Sequence, residues 1–238
     1  MLFRSPVTTS AVHTRDNSSV TAHLEKRFLI WIAERLPGSV NSDHLSALGL
    51  ASMVAAGLAF ASFRLTPWAA AAVIISLAAN WFGDSLDGTV ARVRRQQRPR
   101  YGFYVDHVID VAGTTMLVAG LALSGLMSPM VAPAVLVGFL LVCSETYLAT
   151  HAAGVFKMSF LGFGPTELRL LLMVGALRAA HSPWVEPFGG EPLRLFDIGG
   201  VIAAFALTLT FVIASVRNTR ALYLAEPMPV RADDRRVV

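Results

Sequence analysis

Asp84, Asp87, Asp106 and Asp110 are the side chains of this sequence best placed to do chemistry. The first run reads Asp84-Ser85-Leu86-Asp87-Gly88-Thr89-Val90-Ala91-Arg92; nine residues later comes Gly102-Phe103-Tyr104-Val105-Asp106-His107-Val108-Ile109-Asp110. On a helix, residues three or four apart share a face, so each aspartate pair projects from one side of its segment. Both segments border very apolar stretches, where a carboxylate is costly unless a cation meets it. Four converging carboxylates call for a counter-charge. Hard oxygen donors in that number suit Mg²⁺ or Mn²⁺. Two such ions clamp a diphosphate and stabilise charge developing on a leaving phosphate. A carboxylate not consumed as a ligand could act as general base on an incoming hydroxyl. Arg92, one turn past Gly88, is spaced to grip a phosphate in bidentate fashion. The competing account, in which the aspartates pair with loop arginines, suits one aspartate better than four at these spacings.

The elements that must position these groups are apolar helices. Of the 238 residues, 54% are hydrophobic and 15% charged, and the mean hydropathy is +0.56. Those values point to a polytopic membrane protein rather than a soluble domain. Six spans of roughly membrane-crossing length are expected, at about 44–63, 68–86, 104–127, 130–152, 167–181 and 198–218. The fifth is short and carries Arg178 near its end. Ahead of them, Leu24, Phe28, Ile32 and Leu36 form a stripe over 20–36, with Trp31 and Leu29 alongside. That pattern predicts an amphipathic helix lying in the membrane interface, with a helix packed on protein as the lesser alternative. It stops at Pro37-Gly38. The fold class is therefore all-α, with an interfacial helix and then six transmembrane helices. Residues 1–19 read as a flexible tail without a signal peptide, 20–225 as one membrane domain, and 226–238 as a disordered tail.

Charge placement sets the orientation. Arg92, Arg94, Arg95, Arg98 and Arg100 lie between spans two and three, Lys157 and Arg169 between four and five, and Arg217, Arg220, Arg231, Arg235 and Arg236 after span six. Only Arg64, Arg178 and Arg194 fall on the other side. The positive-inside bias puts both termini and the aspartates in the cytoplasm, and His181–Asp197 becomes an outside loop. The net charge of +4 comes with no aromatic-interleaved basic stripe and no zinc spacing, so no nucleic-acid partner is expected. The single Cys143 excludes an internal disulfide and reads as a small buried hydrophobe.

The pattern D-x2-D-G-x2-A-R-x9-G-x3-D-x3-D resembles the signature of the CDP-alcohol phosphotransferases, also called CDP-alcohol phosphatidyltransferases. These are integral membrane enzymes of phospholipid synthesis. All eight fixed positions match, and the order of an interfacial helix followed by six spans is similar too. The resemblance implies that Asp84, Asp87 and Asp106 bind two metal ions, with Asp84 and Asp106 bridging both. It makes Asp110 the base that deprotonates the acceptor alcohol and a contributor to the second metal. Gly88, Ala91 and Arg92 would contact the CDP moiety, and Gly102 would let the nucleotide lie close. The implied reaction is attack of an alcohol on the diphosphate of a CDP-linked donor, releasing CMP. A homodimer in the bacterial inner membrane is implied as well.

Departures from the family's pattern matter. A Thr-Pro-Asn-x-Leu-Thr stretch often borders the nucleotide there; here Asn41-Ser42-Asp43-His44-Leu45-Ser46 stands in its place. Ser42 and Asp43 are candidate CDP contacts, or they simply cap the first span. For the acceptor, span four offers Glu145, Tyr147, Thr150 and His151. Glu145 either binds the acceptor or bonds a neighbouring helix, and His151 is more at home as a structural hydrogen-bonder. Family members that use inositol phosphate tend to carry Lys and Arg near Ala149 and His151, which weakens an anionic acceptor here. In Gly164-Pro165-Thr166-Glu167-Leu168-Arg169, Thr166 is expected to cap span five. Glu167 and Arg169 would lie in its first turns; the link either serves only capping and orientation or forms a loop over the acceptor pocket. A similar Thr-Glu in choline and ethanolamine phosphotransferases hints at an amino-alcohol acceptor. Glycerol phosphate, serine and inositol phosphate stay open, as does CDP-diacylglycerol against a CDP-linked headgroup as donor. Asn80 and Asn218 read as interhelical hydrogen-bonders. A transporter using intramembrane acids is the alternative class; it would show acids at mid-span and repeated halves, and no repeat is visible.

Overall fold

The computed structural model describes residues 20–153, 165–226 and 228. The tail 1–19, the side chain of Leu24, the link 154–164 with Lys157, residue 227 and the tail 229–238 lie outside the described residues. The helices are α1 (Val20–Arg35), α2 (Ser42–Ala61), α3 (Ala69–Val93), α4 (Pro99–Ser124), α5 (Val131–Ala153), α6 (Pro165–His181) and α7 (Leu195–Ala225). The link between α6 and α7 contains a 3-10 turn at Pro187–Gly189 and a two-residue ladder. Strand β1 (Trp184–Val185) pairs antiparallel with β2 (Leu193–Arg194).

Among the described residues, α2, α3, α4, α5 and α7 are long and apolar enough to cross a membrane. The expected fifth span, α6, has 17 residues, about 25 Å of helix against a hydrocarbon core of about 30 Å. It falls short of that measure. Its contacts nevertheless run along the bundle. Arg169 bonds Asp84 and Asn80 of α3, while Ala176 and Ala179 join the buried cluster around Phe60 and Phe196 at the opposite end.

Small residues decide which helices touch. α2 packs extensively against both α3 and α4, whereas α3 and α4 share little contact. Spans two and three, as antiparallel neighbours joined by a short link, were expected to bring the four carboxylates together across a shared seam; instead α2 is wedged between them. Close approach explains the wedge. A Cβ added at Gly83 would stand 2.7 Å from the Leu45 carbonyl oxygen, and one at Gly120 would stand 2.0 Å from that of Gly57. Gly113 likewise seats against Met53. In lipid, where apolar surface gains little by leaving its surroundings, such backbone proximity is what selects partners. Gly125 ends α4 at φ 72°, a left-handed cap that suits glycine.

A test of this packing follows. Gly120→Val should lower the thermal unfolding temperature of the detergent-solubilised protein, because overpacking against backbone costs roughly 1–3 kcal/mol or more. Gly102→Ala should not lower it, since nothing lies within 4 Å of a Cβ there. Equal unfolding temperatures for wild type and Gly120→Val would contradict the wedge.

The core has two parts. At the end away from the aspartates, Phe60, Val73, Leu77, Leu117, Leu121 and Phe196 are buried together, with Phe60 and Phe196 edge to face at 5.7 Å. At the aspartate end, Leu29 and Ala33 of α1 pack with Leu45, Leu86 and Val90. The helix at 20–35 is thus packed on protein through Leu29 and Ala33, one side of the expected stripe. Phe28 and Trp31 stay exposed, with the Arg35 guanidinium over the Trp31 ring at 4.3 Å. A separate pairing joins α5 to α7, and α4 and α3 connect to it through α5 and α6.

Candidate active site

The aspartates sit deeper in their helices than expected. Span two was expected to end near 86 and span three to begin near 104; α3 instead continues to Val93 and α4 starts at Pro99. Asp84 lies nine residues before the end of α3, about 13 Å along the axis. The helices run on because a backbone that leaves the apolar layer still satisfies its own hydrogen bonds. Pro99 opens α4 at a position where its missing N–H costs nothing.

Asp84 and Asp87 are half-buried on α3, while Asp106 and Asp110 are exposed on α4. The α2 wedge leaves the two pairs facing across a gap. They act on one another electrostatically: Asp110 interacts with Asp106, Asp84, Asp87 and Arg169, and Asp87 with Asp106 and Asp84. The structure therefore brings the four together as one electrostatic group. Among the described residues, no three His, Cys, Asp or Glu side chains already stand in metal-holding geometry. The donor chemistry still fits a divalent cation. The oxygens are hard and anionic, and they come from two helices that share little direct contact. Asp84 and Asp87 are each held by residues of other helices.

Asp87 is held by α2. Its Oδ2 accepts from the Ser46 hydroxyl at 2.6 Å, and its backbone carbonyl accepts from the Ser42 hydroxyl at 3.0 Å. Ser46 was quoted in the sequence without a role. Its spacing four residues after Ser42, on one helix face, was the signal that could have found it. The N-cap of α2 is Asn41 rather than Ser42 or Asp43. Its side-chain oxygen accepts from the His44 N–H at 2.9 Å, and its own N–H donates to His44 Nδ1 at 3.3 Å. That frees Ser42 for Asp87 and Asp43 for an ion pair with Arg98. Arg98 in turn stacks on Tyr101 at 4.0 Å.

Asp84 is paired with Arg169 of α6, whose guanidinium donates to Oδ2 at 2.7 Å. The Nε of the same guanidinium donates to Asn80 Oδ1 at 2.7 Å. Asn80, buried, donates through Nδ2 to the Gly49 carbonyl at 2.9 Å. This chain ties α6, α3 and α2. Asn80 is the interhelical hydrogen-bonder expected, and Arg169 is drawn to an aspartate. Of the loop arginines, Arg94 donates to the carbonyls of Leu36 (2.9 Å), Pro37 (3.1 Å) and Val40, closing the C-terminal end of α1.

Around the aspartates lie the expected diphosphate contacts. The Arg92 guanidinium stands over Gly88, 3.3 Å from where a Cβ would be, and donates to the Thr89 hydroxyl at 3.1 Å. Ala91 is half-buried one turn along, and Gly102 opens onto free space at the start of α4. Backbone without side chains on one flank and a guanidinium on the other can hold a phosphate chain.

The acceptor candidates divide. Glu145 accepts from Asn218 Nδ2 of α7 at 2.6 Å, which is the helix-bonding alternative. His151 is exposed in the last turn of α5, and Glu167 is exposed in the first turn of α6. Thr166 does not cap α6 from outside; the helix begins at Pro165, ahead of it. His107 has Nδ1 at 2.6 Å from the Phe103 carbonyl and its ring edge-on to Tyr147. Cys143 is buried, as expected.

Residues 42–216 match the sequence model of a protein family described as CDP-alcohol phosphatidyltransferase. No curated protein gives a significant match to the chain.

Proposed function

The chain belongs to the CDP-alcohol phosphatidyltransferase family, a transferase family of phospholipid synthesis, and from that premise we propose that it passes a substituted phosphate from a CDP-linked donor to an alcohol and releases CMP. The observation that carries this reading is the mutual field of Asp84, Asp87, Asp106 and Asp110 across the α2 wedge. Such a concentration of negative charge is the counterpart of a cation-bound diphosphate.

Asp84, Asp87, Asp106 and Asp110 would hold two Mg²⁺ or Mn²⁺ ions. When bound, these neutralise the diphosphate and stabilise the negative charge that appears on departing CMP. The chain's own residues do the rest. Gly88 and Ala91 give the diphosphate room against α3, and Arg92 grips it. Gly102 admits the nucleotide at the head of α4. Ser42 and Asp43 line its approach at the start of α2, where Asp43 must share its carboxylate with Arg98. Asp110 takes the proton from the acceptor hydroxyl. The alcohol oxygen then bonds to phosphorus, and the bond from phosphorus to the CMP oxygen breaks. Ser46 fixes the Asp87 carboxylate so that it does not swing as charge moves. Arg169 and Glu167 are the acceptor-side residues, with His151 in the last turn of α5.

We place α6 as the sixth crossing, its short length offset by local thinning of the bilayer. Both termini and the aspartates then share the cytoplasmic face of an inner membrane. Phe28, Trp31 and Arg35 would seat α1 in the headgroup layer. The protein would work as a homodimer.

The test is purified protein in lipid–detergent micelles with CDP-diacylglycerol or CDP-choline, a panel of alcohols, and detection of CMP. CMP is expected only when a donor and one acceptor class are both present. Donor hydrolysis independent of any alcohol, or no CMP with any pair, would contradict the proposal.

A further inference from the structure

Arg169 has no part in metal binding as described so far, yet it sits on a residue assigned to it. Its guanidinium is nearly buried, with 12% of the side chain exposed, and it holds Asp84 at 2.7 Å. Two of its three nitrogens are committed: one to Asp84, the other to Asn80 Oδ1 at 2.7 Å. Asn80 is itself anchored by its bond to the Gly49 carbonyl. The fork is thus held in place by a buried amide fixed to a neighbouring helix. An untethered surface arginine would lose its long side-chain freedom to make such a pair. Here the tether has already restrained it, and the planar fork matches carboxylate and amide together.

We propose that Arg169 is a resident counter-cation, clamped over Asp84 by Asn80, that a divalent ion must displace to complete the site. The inference rests on the metal reading above. In the ion-free protein Arg169 pairs with Asp84 and acts on Asp110, easing repulsion within the group of four. On ion entry the guanidinium gives up Asp84 while Asn80 keeps its Nε, so the released donors remain beside the diphosphate rather than drifting into solvent. The clamp lowers the apparent affinity for the ion by the fraction of molecules in which it is closed. It makes complete loading depend on a further anion, such as the donor diphosphate, that takes over the guanidinium.

The test is Mn²⁺ titration of purified, ion-stripped protein in detergent, followed by the loss of the free Mn²⁺ paramagnetic resonance signal. No turnover is involved. Arg169→Gln is expected to tighten Mn²⁺ binding by about tenfold or more, as for a clamp closed in about nine-tenths of molecules. Removing a positive charge would strengthen cation binding by its field alone, so Asn80→Ala is the deciding variant. It leaves the charge in place and removes only the tether. Tighter Mn²⁺ binding in Asn80→Ala than in wild type supports the clamp. Wild-type affinity in Asn80→Ala, or unchanged or weaker affinity in Arg169→Gln, overturns it. Both variants are compared at equal elution volume on size exclusion, and Asn80→Ser, which retains a hydroxyl for the Gly49 carbonyl, replaces Asn80→Ala if that variant aggregates. Wild type and all variants failing to bind Mn²⁺ would overturn the metal reading itself and the clamp with it. Mn²⁺ binding with no response to either substitution would overturn the clamp alone.

Discussion

Asp110→Asn is expected to lower CMP release by about 10²–10⁴-fold, the usual worth of a positioned general base, while the protein still inserts and purifies as a folded species. The two side chains are nearly isosteric, so packing along α4 is preserved. The amide cannot take a proton from the acceptor hydroxyl. It also removes one negative charge from a group in which Asp106, Asp84 and Asp87 all act on position 110. Like charges brought together destabilise the state that gathers them, so thermal stability in the absence of ions should hold or rise. Loss of activity with retained stability is a combination that misfolding does not produce. The measurement is single-turnover CMP release beside a melting curve on the same sample. Turnover equal to wild type would move the base to another residue. Loss of stability together with activity would leave Asp110 as a packing group.

Removal of divalent ions is expected to bring CMP release to background, and Mg²⁺ or Mn²⁺ in excess of chelator should restore it. Four carboxylates face one another, and Arg169 pairs with Asp84. The donor adds the charges of its diphosphate to theirs. Without a cation, substrate and site repel. A second readout comes from linkage: an ion that binds the folded protein alone stabilises it by about 2.7 kcal/mol at a hundred times its dissociation constant. The unfolding temperature should therefore rise with added Mg²⁺, and rise less in Asp84→Asn or Asp106→Asn. Full turnover in chelator would remove metal from the mechanism, while an unfolding temperature unmoved by Mg²⁺ would argue that the aspartates do not gather an ion in the free protein.

Much of this molecule was legible in its residues. Apolar blocks of membrane-crossing length are local properties of a segment, and so is the three- and four-residue spacing that sets Asp84 with Asp87 and Asp106 with Asp110. Those features gave five of the spans, the α1 helix, and the recognition of a family by one 27-residue pattern. The interhelical roles of Asn80 and Asn218 also followed, because an amide in an apolar span must find a partner. Helix ends were less legible. The apolar run stops before the helix does, so α3 and α4 each extend past the point where hydropathy falls. The cap of α2 went to Asn41 because capping depends on which residue leaves helical φ and ψ, one position ahead of two other good candidates.

Residue types and their spacing determined the helical class, the membrane setting and the identity of the four carboxylates, since each of these is a property of a short stretch of chain. Tertiary structure alone decided that α2 separates the two aspartate helices, that Ser46 steadies Asp87, and that Arg169 covers Asp84 with Asn80 behind it. Those pairings join residues 41, 85 and 89 positions apart. They depend on which backbones can come within contact distance, and that was settled by Gly49, Gly57, Gly83 and Gly120 acting on neighbours that no local pattern names.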